Sequence, residues 1–514
     1  MQKYYLAVPL KYASFNKMDS PVQIPFKSFI RLNADDATAI YLQIVFGFIK
    51  AIQLGQLPEG TKLPGTRVLC KLLAVNRNTL IKAFGDLESQ GFIEILPNKG
   101  TFILSNQKQA LPKPEHSGTP GNGNTPETGF IFTHSSILES PIEISELPLQ
   151  FNDGWPDQRL IDHGAVARLY VSKLKSHNRK LQMGYVETEV QLALKKQVSN
   201  YLNLTRGLRI SGLQLIHTSN HATSLFLVMK LLIVPGDVVV VASPGYYSAN
   251  MTITDSGADV ISIPVDEEGI DTTYLRKICD NQKVRVVYLN SVYHYPTTVS
   301  LSAKRRIEIL ELSSLYGFVI VEDDYDFDFH FDNNPILPLA TMDAGARVIY
   351  IGSFDRSLPA GFGCGFVSGP ATFISELEKH QRLLEPKLDT IKMLALIDWI
   401  KEGDVYRLLK KNKRLYRIRR DHLAALLSDK LGKYIDFTVP SRGLALWVQW
   451  VDGVNLIKLR NKCAEQGLFM PKTILYQSRN ITATRLGFGS MNALELAQAV
   501  DILARAFEDL QYQK

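Results

Sequence analysis

Two short apolar runs constrain this chain more than any other feature. Phe318-Val319-Ile320-Val321 and Arg347-Val348-Ile349-Tyr350-Ile351 are dense in β-branched residues and lack the polar–apolar alternation of a half-exposed strand. Strands of that kind are buried on both faces, inside a parallel sheet with helices above and below. Each run ends in a polar cluster: Glu322-Asp323-Asp324-Tyr325 after the first, Gly352-Ser353-Phe354-Asp355-Arg356-Ser357 after the second. The carboxyl ends of such strands are where open α/β sheets place ligands. An acid at one strand end therefore faces a cation 33 residues later, and that cation is an arginine.

The same alternation of buried strands and helices extends on both sides. Strands are predicted at 238–242, 259–263 and 284–289, with helices at 222–233, 273–279 and 303–315. The last third is richer in long helical periodicities (374–384, 392–401, 408–431, 454–466, 493–512), which predicts a smaller α+β subdomain after the parallel-sheet one. At 514 residues the chain is too long for one core, so two or three domains are expected.

The first hundred residues read differently. An apolar stripe (Ile40, Leu42, Ile44, Val45, Phe48, Ile49, Ile52) predicts a helix stopped by Gly55. Thr66 is a candidate N-cap for a short helix, and Asn76 for a second one running to Gly91. Phe92–Leu96, a Pro97-Asn98-Lys99-Gly100 turn and Thr101–Leu104 read as a hairpin. Helix, short helix, turn, helix and a two-stranded wing is a winged helix-turn-helix. Residues 1–105 hold 12 Lys/Arg against 7 Asp/Glu, which leaves only +2 of the net +7 for the rest. A basic module on a nearly neutral body suits nucleic-acid binding. Residues 105–129, dense in Pro, Gly, Ser, Thr and Asn, read as a flexible tether with a reach of ~30 Å. The expected domains are an N-terminal extension (1–37, with Met18 as an alternative start), the winged module (38–104), a linker (105–145) and the α/β domain (146–514).

The motifs G-x-L-P-x-G-x-x-L-P-x-x-R, V-x-R-x-T-x-x-x-A-x-x-x-L-x-x-x-G-x-I and G-T-F, in that order over residues 38–104, resemble the GntR-family DNA-binding domain. A recognition helix starting near Asn76 would present Asn76, Arg77, Asn78 and Thr79 to base edges and phosphates of double-stranded DNA. Arg67 would hold backbone phosphate, and Lys99 would reach the minor groove from the wing tip. Lys71 and Lys82 read as surface charges.

The second part resembles the fold-type I aminotransferases that use pyridoxal 5′-phosphate (PLP). The resemblance rests on Pro235-Gly236-Asp237, Ser243-Pro244-Gly245-Tyr246, Tyr295-Pro296-Thr297-Thr298, the E-D-D-Y and G-S-F clusters, and Arg485-Leu486-Gly487-Phe488. A GntR module tethered to such a domain resembles the MocR subfamily of bacterial transcription regulators. That resemblance implies roles: Asp323 on the pyridine nitrogen, Tyr325 on the ring hydroxyl, Tyr246 stacked on the ring, Ser353 in the phosphate cup, and Arg485 as anchor for a substrate or effector carboxylate. It also implies a homodimer.

The departures matter more. Arg356 stands where the resemblance puts the Schiff-base lysine, and a guanidinium stays charged and supplies no neutral amine. Asp355 replaces a phosphate-binding serine and Gly363 a phosphate-binding arginine. A covalent cofactor link is not expected, and non-covalent PLP binding is weakened by the lost cation and added carboxylate. Arg356 could replace that cation; pairing with Asp323 or Asp355 is the expected alternative. His294 and Cys364 read as core residues. The function expected is a sequence-specific DNA-binding regulator, a homodimer whose aminotransferase-like domain is catalytically inactive and senses an amino-acid or pyridoxal-like effector. The alternative, an active PLP enzyme with a DNA-binding appendage, needs a lysine supplied from elsewhere.

The four cysteines form no C-x-x-C pair, which argues against zinc and disulfides. No run of 18 uncharged apolar residues occurs, and the N-terminus lacks a signal-peptide core. A cytoplasmic location without membrane partners is expected.

Overall fold

The computed structural model describes residues 30, 32–33, 38–53, 57, 60–96, 100–104, 135–177, 185–332, 335–359, 362–478 and 480–511. The chain divides into two compact units, Met1–His134 and Ser135–Lys514. Lys99, Met18 and the tether up to residue 134 lie outside the described residues.

In the first unit, α1 (Ile40–Gln53) packs on α3 (Arg77–Ser89), with the rings of Phe48 and Phe84 edge to face at 5.7 Å. Between them lie β1 (Lys62–Leu63) and α2 (Thr66–Leu73), followed by the wing strands β2 (Ile93–Leu96) and β3 (Gly100–Ile103). The apolar stripe of α1 forms the core, with Ile44, Val45 and Phe48 at most 1% exposed. Two details differ from expectation. Gly65, not Thr66, caps α2, and no side chain closes that cap. The wing sheet has a third strand, because Lys62-Leu63 pairs antiparallel with Thr101-Phe102; two residues are too few to carry a periodicity.

The second unit is built on an eight-stranded sheet. Its strands are β5 (Leu215–Thr218), β6 (Val238–Ser243), β7 (Asp259–Asp266), β8 (Gly269–Ile270), β9 (Val284–Leu289), β10 (Val319–Asp324), β11 (Val348–Ser353) and β12 (Gly365–Ser368). The spatial order is β5-β12-β11-β10-β9-β6-β7-β8. From β11 to β7 the neighbours are parallel, whereas β12 runs antiparallel to both β11 and β5. Strands β6, β7, β9, β10 and β11 coincide with the apolar runs of the sequence. Before β5 come β4 (Leu149–Gln150) and the helices α4 (His163–His177) and α5 (Tyr185–Arg206); α6 (His221–Leu232) follows β5 directly.

The smaller subdomain carries an antiparallel sheet, β13 (Ile435–Asp436), β14 (Ala445–Trp450), β16 (Leu475–Gln477) and β17 (Thr482–Gly487), in the order β13-β14-β17-β16. The long helices Asp404–Leu431 and Ala493–Gln511 belong to it. A separate strand, β15 (Leu468–Phe469), pairs with β4. The linker is shorter than expected. Residues 135–145 belong to the second unit, where Glu143 takes two bonds of 2.9 Å from Arg460 and a third from the Lys472 amide. A sparse apolar pattern hid that anchoring.

Candidate functional site

Strands β10 and β11 run side by side with Asp323 opposite Ile351 and Asp324 opposite Gly352. That register brings Asp323 and Ser353 to one carboxyl edge of the sheet. The amino end of α6 arrives at the same edge, because β12 and β5 extend the sheet there and Asn220 caps α6 through its side chain.

Both oxygens of Asp323 are taken by the chain itself. Tyr288 donates its hydroxyl at 2.6 Å, and His221 Nε2 sits 2.7 Å from the other oxygen. Burial disfavours the charged imidazolium of His221, but the Asp323 carboxylate outweighs it and raises the pKa. His221 thus lies against the carboxylate that the resemblance assigns to a pyridinium.

Asp355 turns its carboxylate onto α6. Its Oδ2 accepts the His221 amide at 2.8 Å, on the end of a helix where unpaired N–H groups and the dipole favour an anion. Its Oδ1 is buried without a partner. Gly363 makes room: a Cβ there would lie 2.3 Å from Asp355 Oδ1, so this placement of the carboxylate requires a residue without a side chain at 363. Ser353 is buried, and its hydroxyl lies 3.4 Å from the Asp355 amide.

Arg356 pairs with neither Asp323 nor Asp355, contrary to expectation. Its Nη1 donates to Asp326 Oδ1 at 3.0 Å and to the Gly154 carbonyl at 2.9 Å. Trp155 and Tyr325 cover its guanidinium at 4.8 and 5.1 Å. Asp326, three residues past Asp323 and fully buried, supplies the carboxylate instead, while Asp323 accepts from Tyr288 and His221 and Asp355 turns toward the His221 amide. Burial opposes the charge of Arg356, but Asp326 and Asp153 overcome it and raise its pKa.

Arg485, on β17, is fully buried. It donates to Asp153 Oδ1 at 2.7 Å, to the Pro296 carbonyl at 2.9 Å and to the Tyr325 hydroxyl at 3.3 Å, and stacks over Tyr295 and Tyr293. The Tyr325 hydroxyl thus accepts from Arg485 while its ring lies against Arg356. Tyr246 stands edge-on to Tyr295 at 4.9 Å and lines a narrow cleft with Gly245, Asn250, Tyr288, Asn290 and His294. No lysine lines that cleft among the described residues. His294 is buried, with its pKa pushed down to about 3 by burial and then by Arg485, and burial pushes the Cys364 thiol up to about 12. Neither is set up as a base or a nucleophile at neutral pH.

These residues do not fit PLP. A second anion at the α6 terminus would meet the Asp355 carboxylate, with no arginine at 363 to offset it. Asp323 already accepts from Tyr288 and His221, one on each oxygen, and Arg356 has no amine to bond. Sequence reasoning missed His221, Asp326 and Asp153. The departure at His221 was visible in Thr218-Ser219-Asn220-His221-Ala222; nothing in the spacing marked the other two.

In the first unit, α3 presents Arg77 and Asn78 on its exposed side, and Arg67 is exposed on α2. Asn76 is divided: its Oδ1 caps α3 by accepting the Asn78 amide at 3.1 Å, and only its amide nitrogen stays available. Thr79 is half-buried. Lys82 lies over the Tyr41 ring at 3.8 Å, and no groups of His, Cys, Asp or Glu among the described residues could hold a metal. No helix among them is long and apolar enough to cross a membrane.

Comparison with known proteins follows this division. The pattern of the family "Aminotransferase class I and II" matches residues 165–503, and that of "Bacterial regulatory proteins, gntR family" matches residues 40–103. The "Uncharacterized HTH-type transcriptional regulator YdfD" of Bacillus subtilis is 25% identical over 472 residues, 91% of this chain and 96% of that one. The "Probable rhizopine catabolism regulatory protein MocR" of Rhizobium meliloti is 23% identical over 486 residues, 93% of this chain and 96% of its own. Among solved structures, the multiple substrate aminotransferase from Thermococcus profundus superposes with a TM-score of 0.65 at 20% identity, over 74% of this chain and 97% of its own.

Proposed function

The chain belongs to the aminotransferase class I and II family and carries a gntR-family regulatory domain ahead of it, and from that premise we propose that it is a DNA-binding transcription regulator of the MocR type whose aminotransferase-like domain does not transaminate. The relatives that match it end to end are named as regulators and have the same two-part span. The observation that carries the loss of catalysis is Arg356, bonded to Asp326 and Gly154 where an enzyme of the family needs a free amine. In this reading Arg67, Arg77 and Asn78 contact operator DNA in the cytoplasm, helped by Asn76, Thr79 and Lys99. The second domain joins two copies and reads a small amino-acid-like effector through Arg485. Two modules on flexible tethers then raise each other's effective concentration at paired half-sites.

The test uses the full chain. Fragments from around its own coding region are retarded in a gel-shift assay at low nanomolar protein and outcompete random DNA. In parallel, added PLP produces no visible absorbance of a lysine-bound cofactor, and borohydride fixes none to the protein. A band that borohydride traps on a lysine overturns the non-catalytic reading; binding no tighter than to random DNA overturns the regulatory one.

A further inference from the structure

The two arginines that the family resemblance assigns to cofactor and ligand duty grip the same piece of the chain. Arg485 holds the Asp153 carboxylate at 2.7 Å, and Arg356 holds the Gly154 carbonyl at 2.9 Å with Trp155 over its guanidinium. These residues form a short turn, fastened on one side by β4 against β15 and on the other by Asp157, which Arg419 binds at 2.8 Å. The turn sits directly on β17. A Cβ at Gly487 would come within 2.5 Å of Asn152 and the Gly154 amide, so the strand has been cut back to backbone to seat it.

Beside this turn lies the cleft lined by Tyr246, Asn250, Tyr288, His294 and Tyr295. As closed, it has no room for a water molecule, yet Asn250 Oδ1 and His294 Nε2 are buried in it without partners. Buried polar atoms left so call for a partner, and a polar ligand entering an opened cleft would supply one. Tyr295, whose ring lies 4.8 Å under Arg485, joins the cleft to the Arg485–Asp153 pair.

We propose that residues 152–155 are an internal latch in which Asp153 stands in for the carboxylate of a small amino or keto acid, and that such an acid reaches Arg485 only by evicting Asp153. The inference rests on the reading of Arg485 as a carboxylate anchor and adds what keeps that anchor occupied. Arg485 has its Nε on Asp153 and its two Nη atoms on the Pro296 carbonyl and the Tyr325 hydroxyl, so a free acid that takes the two-pronged grip through Nε must displace Asp153. Release of Asp153 frees a turn that is also held by Arg356.

The test measures thermal stability and calorimetric binding of the full-length wild type, Asp153→Ala and Asp153→Asn. Probes are the twenty standard L-amino acids, pyruvate and 2-oxoglutarate, with alaninol as the carboxylate-free control. At least one acid should bind a folded Asp153 variant ten or more times tighter than wild type. Alaninol should not, and the gain should vanish in Asp153→Asn with Arg485→Gln. The isosteric Asn variant serves if the Ala variant does not fold. Equal affinity in wild type and variant, a gain that survives loss of Arg485, or no binding by any acid to a folded variant overturns the latch. Gel-shift of the wild type on DNA is scored separately, so failure of the latch and failure of the regulatory reading are told apart.

Discussion

Arg67 and Arg77 in the first unit are exposed, whereas Arg356 and Arg485 in the second are enclosed and carry carboxylates at 3.0 and 2.7 Å. An exposed guanidinium is cheaply solvated and remains available to an external anion such as phosphate. A buried one must be neutralised from within or not be there at all. The contrast locates function better than fold does. The second unit has the architecture of an enzyme, but the two arginines at its strand-end site are spent on Asp326 and Asp153, whereas Arg67 and Arg77 on the small module are open.

The sharpest way to break this contrast is to remove an internal anion. Asp326→Ala leaves Arg356 charged and enclosed, and a buried pair broken on one side costs roughly 3–5 kcal/mol. Urea unfolding of the second unit should move accordingly, and the double replacement Asp326→Ala with Arg356→Met should recover most of the loss. A cost below about 1 kcal/mol, the worth of a surface pair, would mean that Arg356 is as free as Arg67.

How much of this was legible without coordinates follows the same line. The apolar runs of β10 and β11 announced a parallel sheet and its ligand edge, because burial on both faces leaves a composition that only such strands have. Strand β12 escaped, since Gly365-Phe366-Val367-Ser368 is short and flanked by glycine, and its antiparallel pairing is settled by neighbours distant in sequence. The partner of Arg356 escaped for a related reason. Asp323, Asp324, Asp326, Asp328 and Asp355 are all within plausible reach by spacing, and the choice among them depends on side-chain directions at a strand end. Asp153, more than 300 residues from Arg485, had no local signal beyond a polar turn before Trp155-Pro156.

Burial that keeps Arg356 and Arg485 charged by pairing keeps an unpaired base neutral, which gives a second, somewhat smaller effect. His217 meets Met393 Sδ, and burial, then Lys195 and Lys392, pushes its pKa down to about 4 from 6.5. The unfolded chain therefore binds the proton first as pH falls. The contribution of His217 should be full above pH 6.5 and fall by about 3 kcal/mol on the way to pH 4, in addition to that of His294, which is lowered for the same reason. His217→Asn should make that limb of the curve shallower in urea unfolding at stepped pH, leaving the part due to His294. An unchanged slope would show that His217 reaches solvent in the native state.

The smallest effects belong to the exposed side of the contrast, where loss of a charge should leave folding alone and change only DNA binding. Arg77→Ala should cost about 1–3 kcal/mol on the best operator and relax preference at one base pair, because a base contact is read at a single position. Arg67→Ala should weaken all sequences alike and reduce the slope of log affinity against log salt by about 1, since one phosphate fewer is neutralised and its counterion stays in place. Fluorescence anisotropy at four salt concentrations separates the two. If Arg67→Ala instead altered base preference with no change in salt slope, α2 would be entering the groove in place of α3, and the division of work between the two helices would have to be reversed.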